Sequence, residues 1–139
     1  MRSRNLGKVA IFIIIITVLY YFSLPNNTKS IDKIYLSLDK KMYDKQDNEI
    51  KVTIHNETNE RYTYGARYDF QILKGNKWIP VPYKEKNYEV SYLDYEVILE
   101  PNSVKQEVFI TDLYDIAEGK YRYIKKIGEI KTVVEFNIK

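Results

Sequence analysis

The single histidine is the first residue to consider for chemistry, because an imidazole can transfer protons or bind a metal near neutral pH. His55 stands at the end of an alternating apolar run, and the chain contains no cysteine. A zinc shell needs several histidine or cysteine ligands, so His55 alone cannot form one. No nucleophile-elbow motif surrounds Ser37, Ser91 or Ser103. We therefore interpret His55 as an ordinary strand-end residue and predict no catalytic residue, metal site or cofactor.

An acidic stretch between two apolar runs could suggest calcium. Asp44, Asp47 and Glu49 fall within six residues. An EF-hand loop has a different ligand spacing and a glycine at its sharp turn, and this stretch has neither. We interpret the stretch as a solvated turn.

A second acidic group raises the alternative of a small hydrolase on a β-sandwich. Glycosidases need two carboxyl groups facing one cleft. The candidates here are Glu89, Asp94, Glu96 and Glu100. Their spacing singles out no pair, so the hydrolase stays a second alternative.

Tyrosine is unusually abundant, with 14 copies in 139 residues. Most tyrosines suit half-buried strand surfaces and cross-strand pairs. Residues 83–92 differ, because aromatic and charged residues alternate there without a clear apolar partner, as on recognition surfaces. We predict that Tyr83, Tyr88 and Tyr92 contact a ligand or partner protein, and that replacing them leaves the fold intact.

Basic residues form one short cluster in the second half of the chain. Lys125 and Lys126, with Arg122 nearby, could attract polyanions such as teichoic acid or anionic headgroups. Acidic neighbours dilute the cluster, and we interpret it as a solvated face.

Charge along the whole chain argues against a nucleic-acid partner. The chain has 22 Lys plus Arg and 19 Asp plus Glu, but Arg2, Arg4 and Lys8 precede the long apolar run. Residues 9–139 therefore carry 19 of each sign. Nucleic-acid-binding domains present a basic face, and a neutral domain with interspersed charges does not predict one.

The N-terminal apolar run predicts a membrane anchor. Residues 9–24 (VAIFIIIITVLYYFSL) contain no charged residue and would span roughly 24 Å as a helix. Leu6, Gly7 and a snorkelling Lys8 extend that reach to about 30 Å. The basic residues of segment 1–8 place the N-terminus in the cytoplasm. We predict a single-pass plasma-membrane protein in which the helix contacts lipid.

Signal cleavage is the alternative to anchoring. A type I site needs small residues at positions −3 and −1, and cleavage after Ser23 would put Tyr21 at −3. Cleavage after Ser30 would lie six residues beyond the apolar run. We favour an uncleaved signal-anchor followed by a linker at 25–30, with secretion as the alternative.

From residue 31 onward the pattern is that of β-strands. Apolar residues recur at every second position, as in strands with one buried face, and turn signals separate the runs. The class is all-β, and we predict a Greek-key sandwich of about seven to nine strands over 31–139. The predicted strands are 33–40, 49–55, 64–73, 77–81, 88–92 and 95–99 or one long bent strand in that region, 105–111, 120–127 and 131–138.

Two local motifs carry a resemblance to a known family. One is YTYGARYDFQILKGNKWIPV at 62–81, and the other is Gly119-Lys120-Tyr121-Arg122-Tyr123. Together they resemble the bacterial immunoglobulin-like domain of small Gram-positive surface and secreted proteins. The resemblance implies structural roles for Trp78, Gly119 and Tyr121, with Tyr121 as the tyrosine corner. The family is defined by its fold and implies no catalytic residues.

These observations predict a non-catalytic extracellular binding or structural module held at the membrane. Its partner would be a surface protein or a cell-wall component, and we expect a monomer. The first alternative is a secreted soluble inhibitor or immunity-type binding protein.

Overall fold

The computed structural model describes residues 33–139, and this range contains ten β-strands and no helix. The predicted all-β class is confirmed. The strands are β1 (Ile34–Leu38), β2 (Met42–Tyr43), β3 (Glu49–Asn56), β4 (Tyr62–Tyr64), β5 (Asp69–Lys74), β6 (Lys77–Pro80), β7 (Val97–Leu99), β8 (Ser103–Ile110), β9 (Gly119–Ile127) and β10 (Ile130–Ile138).

The predicted membrane helix at 9–24, the basic segment 1–8 and the linker 25–30 all lie outside the described residues. Between residues 33 and 139, no helix has the length and apolar character needed to cross a membrane.

Strand number exceeds the prediction for two local reasons. The strand predicted at 64–73 is two strands, because β4 pairs with β7 whereas β5 pairs with β6 and β9. The two-residue β2 is also additional. The strand predicted at 88–92 is absent, and β7 begins only at Val97.

Three sheets organise the domain. The first has the order β1-β3-β8, the second β2-β10-β9-β5-β6, and a small third sheet pairs β4 with β7. Chain neighbours such as β2 and β3 lie in different sheets, so the connections cross between layers. All strand pairs are antiparallel except β2 with β10, which are parallel.

Three further backbone hydrogen bonds hold the parallel pair of β2 and β10 together. Asn137 N donates to Lys41 O, Lys139 N donates to Tyr43 O and Lys45 N donates to Lys139 O, each at 3.0 Å. The first strands of the domain are therefore tied to the last.

Aromatic rings from the two larger sheets meet in one core. Phe70 on β5 lies 4.7 Å from Phe109 on β8, measured between ring centroids, and 5.2 Å from Tyr121 on β9. Phe136 on β10 stacks at 6.1 Å from the same ring. Since the chain has no cysteine, contacts of this kind, worth about 0.5–1.5 kcal/mol each beyond area burial, take the place of an inter-sheet disulfide.

Tyr121 ties the β8–β9 connection to its own strand. Its hydroxyl donates to Ala117 O at 2.6 Å and accepts from Ala117 N at 3.0 Å. This is the geometry of a tyrosine corner. Gly119 stands beside it, where a Cβ atom would lie 3.3 Å from Ile72 Cδ1.

Trp78 lies on β6, half-buried and outside the hydrophobic core. The Arg122 guanidinium sits 4.5 Å from the centroid of the tryptophan ring, within cation–π range. Arg122 Nε also donates to Gln71 at 2.7 Å. Arg122 is thus engaged with its own sheet.

Lys125 corrects the interpretation of the basic cluster as a solvated face. Its side chain is 1% exposed, and Nζ lies 2.8 Å from Glu107 Oε2 on the opposite sheet. The ring of Tyr64 covers the ammonium, with the centroid 5.0 Å from Nζ. Burial and the Glu107 carboxylate together raise the pKa of Tyr64. One inward position of β9 therefore holds a buried charge, and its partner Glu107 is 23% exposed.

We expect Glu107→Gln to lower the free energy of unfolding by about 3 kcal/mol, because it leaves a buried ammonium without its counter-ion. The matched control is Glu135→Gln, which breaks the surface pair with Lys120, where both side chains are 45% exposed. That control should cost less than about 1 kcal/mol. Urea unfolding followed by circular dichroism measures both, and equal losses would contradict a special role for the buried pair.

Candidate functional site

A cleft of about 820 Å³ opens beside β5. It forms where β6 ends at Pro80 and the chain crosses past Phe70, with Val81 N donating to Phe70 O at 3.0 Å. The following irregular segment, residues 82–96, forms its outer wall through Val90 and Tyr92. A cavity of this size suits a small molecule or a section of a polymer.

Four tyrosines line the cleft: Tyr68, Tyr83, Tyr92 and Tyr114. The hydroxyl of Tyr114 lies 3.0 Å from that of Tyr68 and 3.3 Å from that of Tyr83. The rings of Tyr83 and Tyr114 stack at 4.6 Å, and Tyr92 meets Tyr68 edge-on at 5.8 Å. The phenols form one connected wall.

Burial raises the pKa of Tyr68 and of Tyr114, and raises the pKa of Tyr92 to about 12. These hydroxyls therefore stay protonated at neutral pH. The two hydrogen bonds at Tyr114 use two of the three O–H donors of Tyr68, Tyr83 and Tyr114. One of these donors and the hydroxyl of Tyr92 are left for a ligand rich in hydroxyl or phosphate oxygens.

Three cations stand at the same cleft: Arg67, Lys126 and Lys131. Lys126 on β9 is directly opposite Lys131 on β10. The β5–β9 register ends with Asp69 opposite Ile124; Arg67 lies two residues before Asp69, outside β5, and Lys126 lies two residues after Ile124. Asp69 is the one acid that lines the cleft.

The three predicted binding tyrosines occupy different positions. Tyr83 and Tyr92 line the cleft, whereas Tyr88 is 38% exposed and packs against Tyr83, with ring centroids 5.0 Å apart. The expectation that this segment lacks an apolar partner is wrong for Tyr83, because its ring packs on the core. Binding by the three residues stays a prediction.

Sequence reasoning missed four lining residues: Arg67, Tyr68, Tyr114 and Lys131. Arg67 and Lys131 are 64 positions apart in the sequence, and only the fold brings them to one cleft. Tyr114 ends a hydrogen-bonded turn in which Tyr114 N donates to Thr111 O at 3.0 Å.

The other candidate centres show no catalytic arrangement. His55 Nε2 lies 2.7 Å from Ser37 Oγ, and its ring stacks on Tyr35 at 4.4 Å. No carboxylate within residues 33–139 is hydrogen-bonded to His55, so a catalytic triad is not assembled among them.

The acidic groups are used locally or stand apart. Asp47 accepts from Asp44 N and from Lys40, which lowers the pKa of Asp47. Glu100 pairs with Arg61 at 3.0 Å. None of the four proposed hydrolase carboxylates lines the cleft. The part of the chain that the structure describes holds no group of three His, Asp or Glu suited to a metal ion.

Alkaline pH should destabilise the domain through Tyr92. An unfolded phenol ionises near pH 10 and the folded one near 12, so unfolding releases a proton between these values. The stability contributed by Tyr92 is complete below pH 10 and is lost as the pH rises to about 12. Urea midpoints at several pH values should fall less steeply for Tyr92→Phe than for the parent, and identical slopes would contradict this assignment.

No curated protein matches the chain. Among solved structures, a β-glucosidase from Listeria innocua in complex with gluconolactone is similar over 78% of this chain, at 15% identity and a TM-score of 0.38. The matched region is 16% of that chain's length. A similarity this weak carries no argument about activity.

The model of the family described as bacterial Ig-like domain matches residues 30–137. The matched range contains β1 to β9 and all but the last residue of β10. The tyrosine corner at Tyr121 and the division of the strands between facing sheets accord with this match. The chain therefore belongs to the bacterial Ig-like domain family.

Proposed function

We propose that this protein is a membrane-anchored, extracellular binding module that acts without catalysis. The Ig-like domain supports a structural or binding role. The apolar run at 9–24 with its basic flank supports anchoring. The partner is a surface protein or a cell-wall component.

The observation that carries the binding role is the tyrosine-lined cleft beside β5. Tyrosines supply large contact areas at a low cost in conformational entropy, and they combine apolar rings with polar hydroxyls. Here the rings are pre-organised, because Tyr83 and Tyr114 stack and share a hydrogen bond. Less entropy is therefore lost when a ligand binds.

Anchoring adds to the effect of such a site. A domain held just above the bilayer meets neighbouring envelope components at a high effective concentration. Moderate intrinsic affinity is then sufficient for occupancy.

Asn76→Cys tests anchoring and orientation together, since Asn76 lies in the exposed β5–β6 turn and the chain has no other cysteine. Intact cells are treated with a membrane-impermeant maleimide, and the labelled mass is measured. Label at full-length mass is expected. Label only on a shortened species in the medium would support the secreted alternative, and no label before lysis would refute both.

Tyr92→Ser tests the binding role. Truncating a tyrosine that is a binding hot spot costs about 2 kcal/mol or more, so co-sedimentation of the full-length protein with isolated cell envelopes should weaken about tenfold or more. Tyr35→Ser is the matched control, because Tyr35 lies on β1, away from the cleft lining. Equal effects of the two substitutions, with both proteins folded by circular dichroism, would contradict the proposal.

A further inference from the structure

The cations of the cleft form a row across neighbouring strands. Lys126 and Lys131 are cross-strand partners, and Arg67 approaches the other side of β9. Adjacent strands are about 4.8 Å apart, so the row spans about 10 Å. We call Arg67, Lys126 and Lys131 the cationic row.

The protein neutralises the cationic row only in part, although Asp69 lines the same cleft. Lys126 pairs with Glu129 at 2.8 Å across the turn, but Arg67 and Lys131 take part in no ion pair within residues 33–139. Like charges directly opposite each other in a sheet are destabilising. The arrangement works against folding and in favour of binding an anion.

The row and the tyrosines belong to the same cleft, so their ligand must satisfy both. The cations need negative charges spaced along about 10 Å, and the protonated phenols need oxygen atoms that accept and donate hydrogen bonds. A chain of hydroxylated units joined by charged links has both properties.

We infer that the cleft binds a linear polymer of polyols joined by phosphodiesters, with its phosphates on Arg67, Lys126 and Lys131. This inference rests on the proposed function and names the ligand class of the same site. The Arg67 fork binds two oxygens of one phosphate. A phosphodiester carries one negative charge, shared by two non-bridging oxygens that diverge tetrahedrally, so a second phosphate can accept from Lys126 and Lys131 at once.

Spacing agrees with this assignment. A glycerol phosphate repeat contains six backbone bonds and extends about 7 Å, twice the reach of a three-bond peptide unit. Two successive phosphates therefore fit within the cationic row. The intervening hydroxyls then face the tyrosine wall.

The test uses full-length protein in a neutral detergent and fluorescently labelled poly(glycerol phosphate), with binding followed by anisotropy. Neutralising two phosphates of a single-chain polyanion predicts a slope of about −1.4 for log K against log salt, and each phosphate contact that is lost should make the slope shallower by about 0.7. Arg67→Gln with Lys131→Gln should weaken binding about tenfold or more at low salt and leave a slope of about −0.7.

Lys51→Gln with Lys105→Gln is the matched control, since both lysines are exposed on the other large sheet and the net charge changes equally. This control should change affinity less than twofold. Equal weakening by both pairs, or no binding of the polymer by the parent, would overturn the inference.

Four further probes decide the ligand class. Neutral dextran should not bind. Tighter binding of polygalacturonate, of oligothymidylate or of phosphatidylglycerol vesicles than of poly(glycerol phosphate) would overturn the polyol-phosphate assignment. If the parent does not bind poly(glycerol phosphate) but Tyr92→Ser still weakens co-sedimentation with cell envelopes, only the ligand class is wrong. If envelope binding is also unaffected by Tyr92→Ser, the proposed function fails with it.

Discussion

Phe70 is the ring on which the arrangement of the domain depends. It contacts Phe109 across the sandwich, Tyr121 and Phe136 within its own sheet, and Tyr114 in the β8–β9 connection at 5.0 Å. Removing such a ring typically costs about 3–5 kcal/mol. Phe70 also lines the cleft, and its carbonyl holds Val81 where β6 leaves the sheet. Phe70 thus belongs both to the hydrophobic core and to the lining of the cleft.

A similar double use of aromatic rings explains the abundance of tyrosine. A chain without cysteine needs large rings to join its sheets, and a binding wall needs hydroxyls that point into a cavity. Tyr114 serves both needs, since it is 3% exposed and bonds to two phenols of the cleft. A surface built on core residues is stiff, and stiffness favours recognition of a ligand by shape and hydrogen bonding.

Periodicity predicted the fold class and most strands because each strand buries alternate side chains, as β3 does from Ile50 to Asn56. It failed at 88–92, where no neighbouring strand pairs with the backbone. Val90 and Tyr92 alternate there because both line the cleft. The sequence pattern also did not predict polar contacts between residues far apart in the chain. Nothing local predicts that Lys125 would meet Glu107 inside the sandwich. Predicting the cationic row would have required the pairing of β9 with β10 and the position of Arg67 beside them.

The parallel pairing of β2 with β10 has a mechanical consequence. Tension applied to the chain before β2 and after β10 pulls these two strands in opposite directions along their own axes. The three backbone hydrogen bonds at Lys41, Tyr43 and Lys45 are then loaded together in shear and do not open one by one as in an unzipped hairpin. Force applied at these two points is therefore resisted by several hydrogen bonds at once.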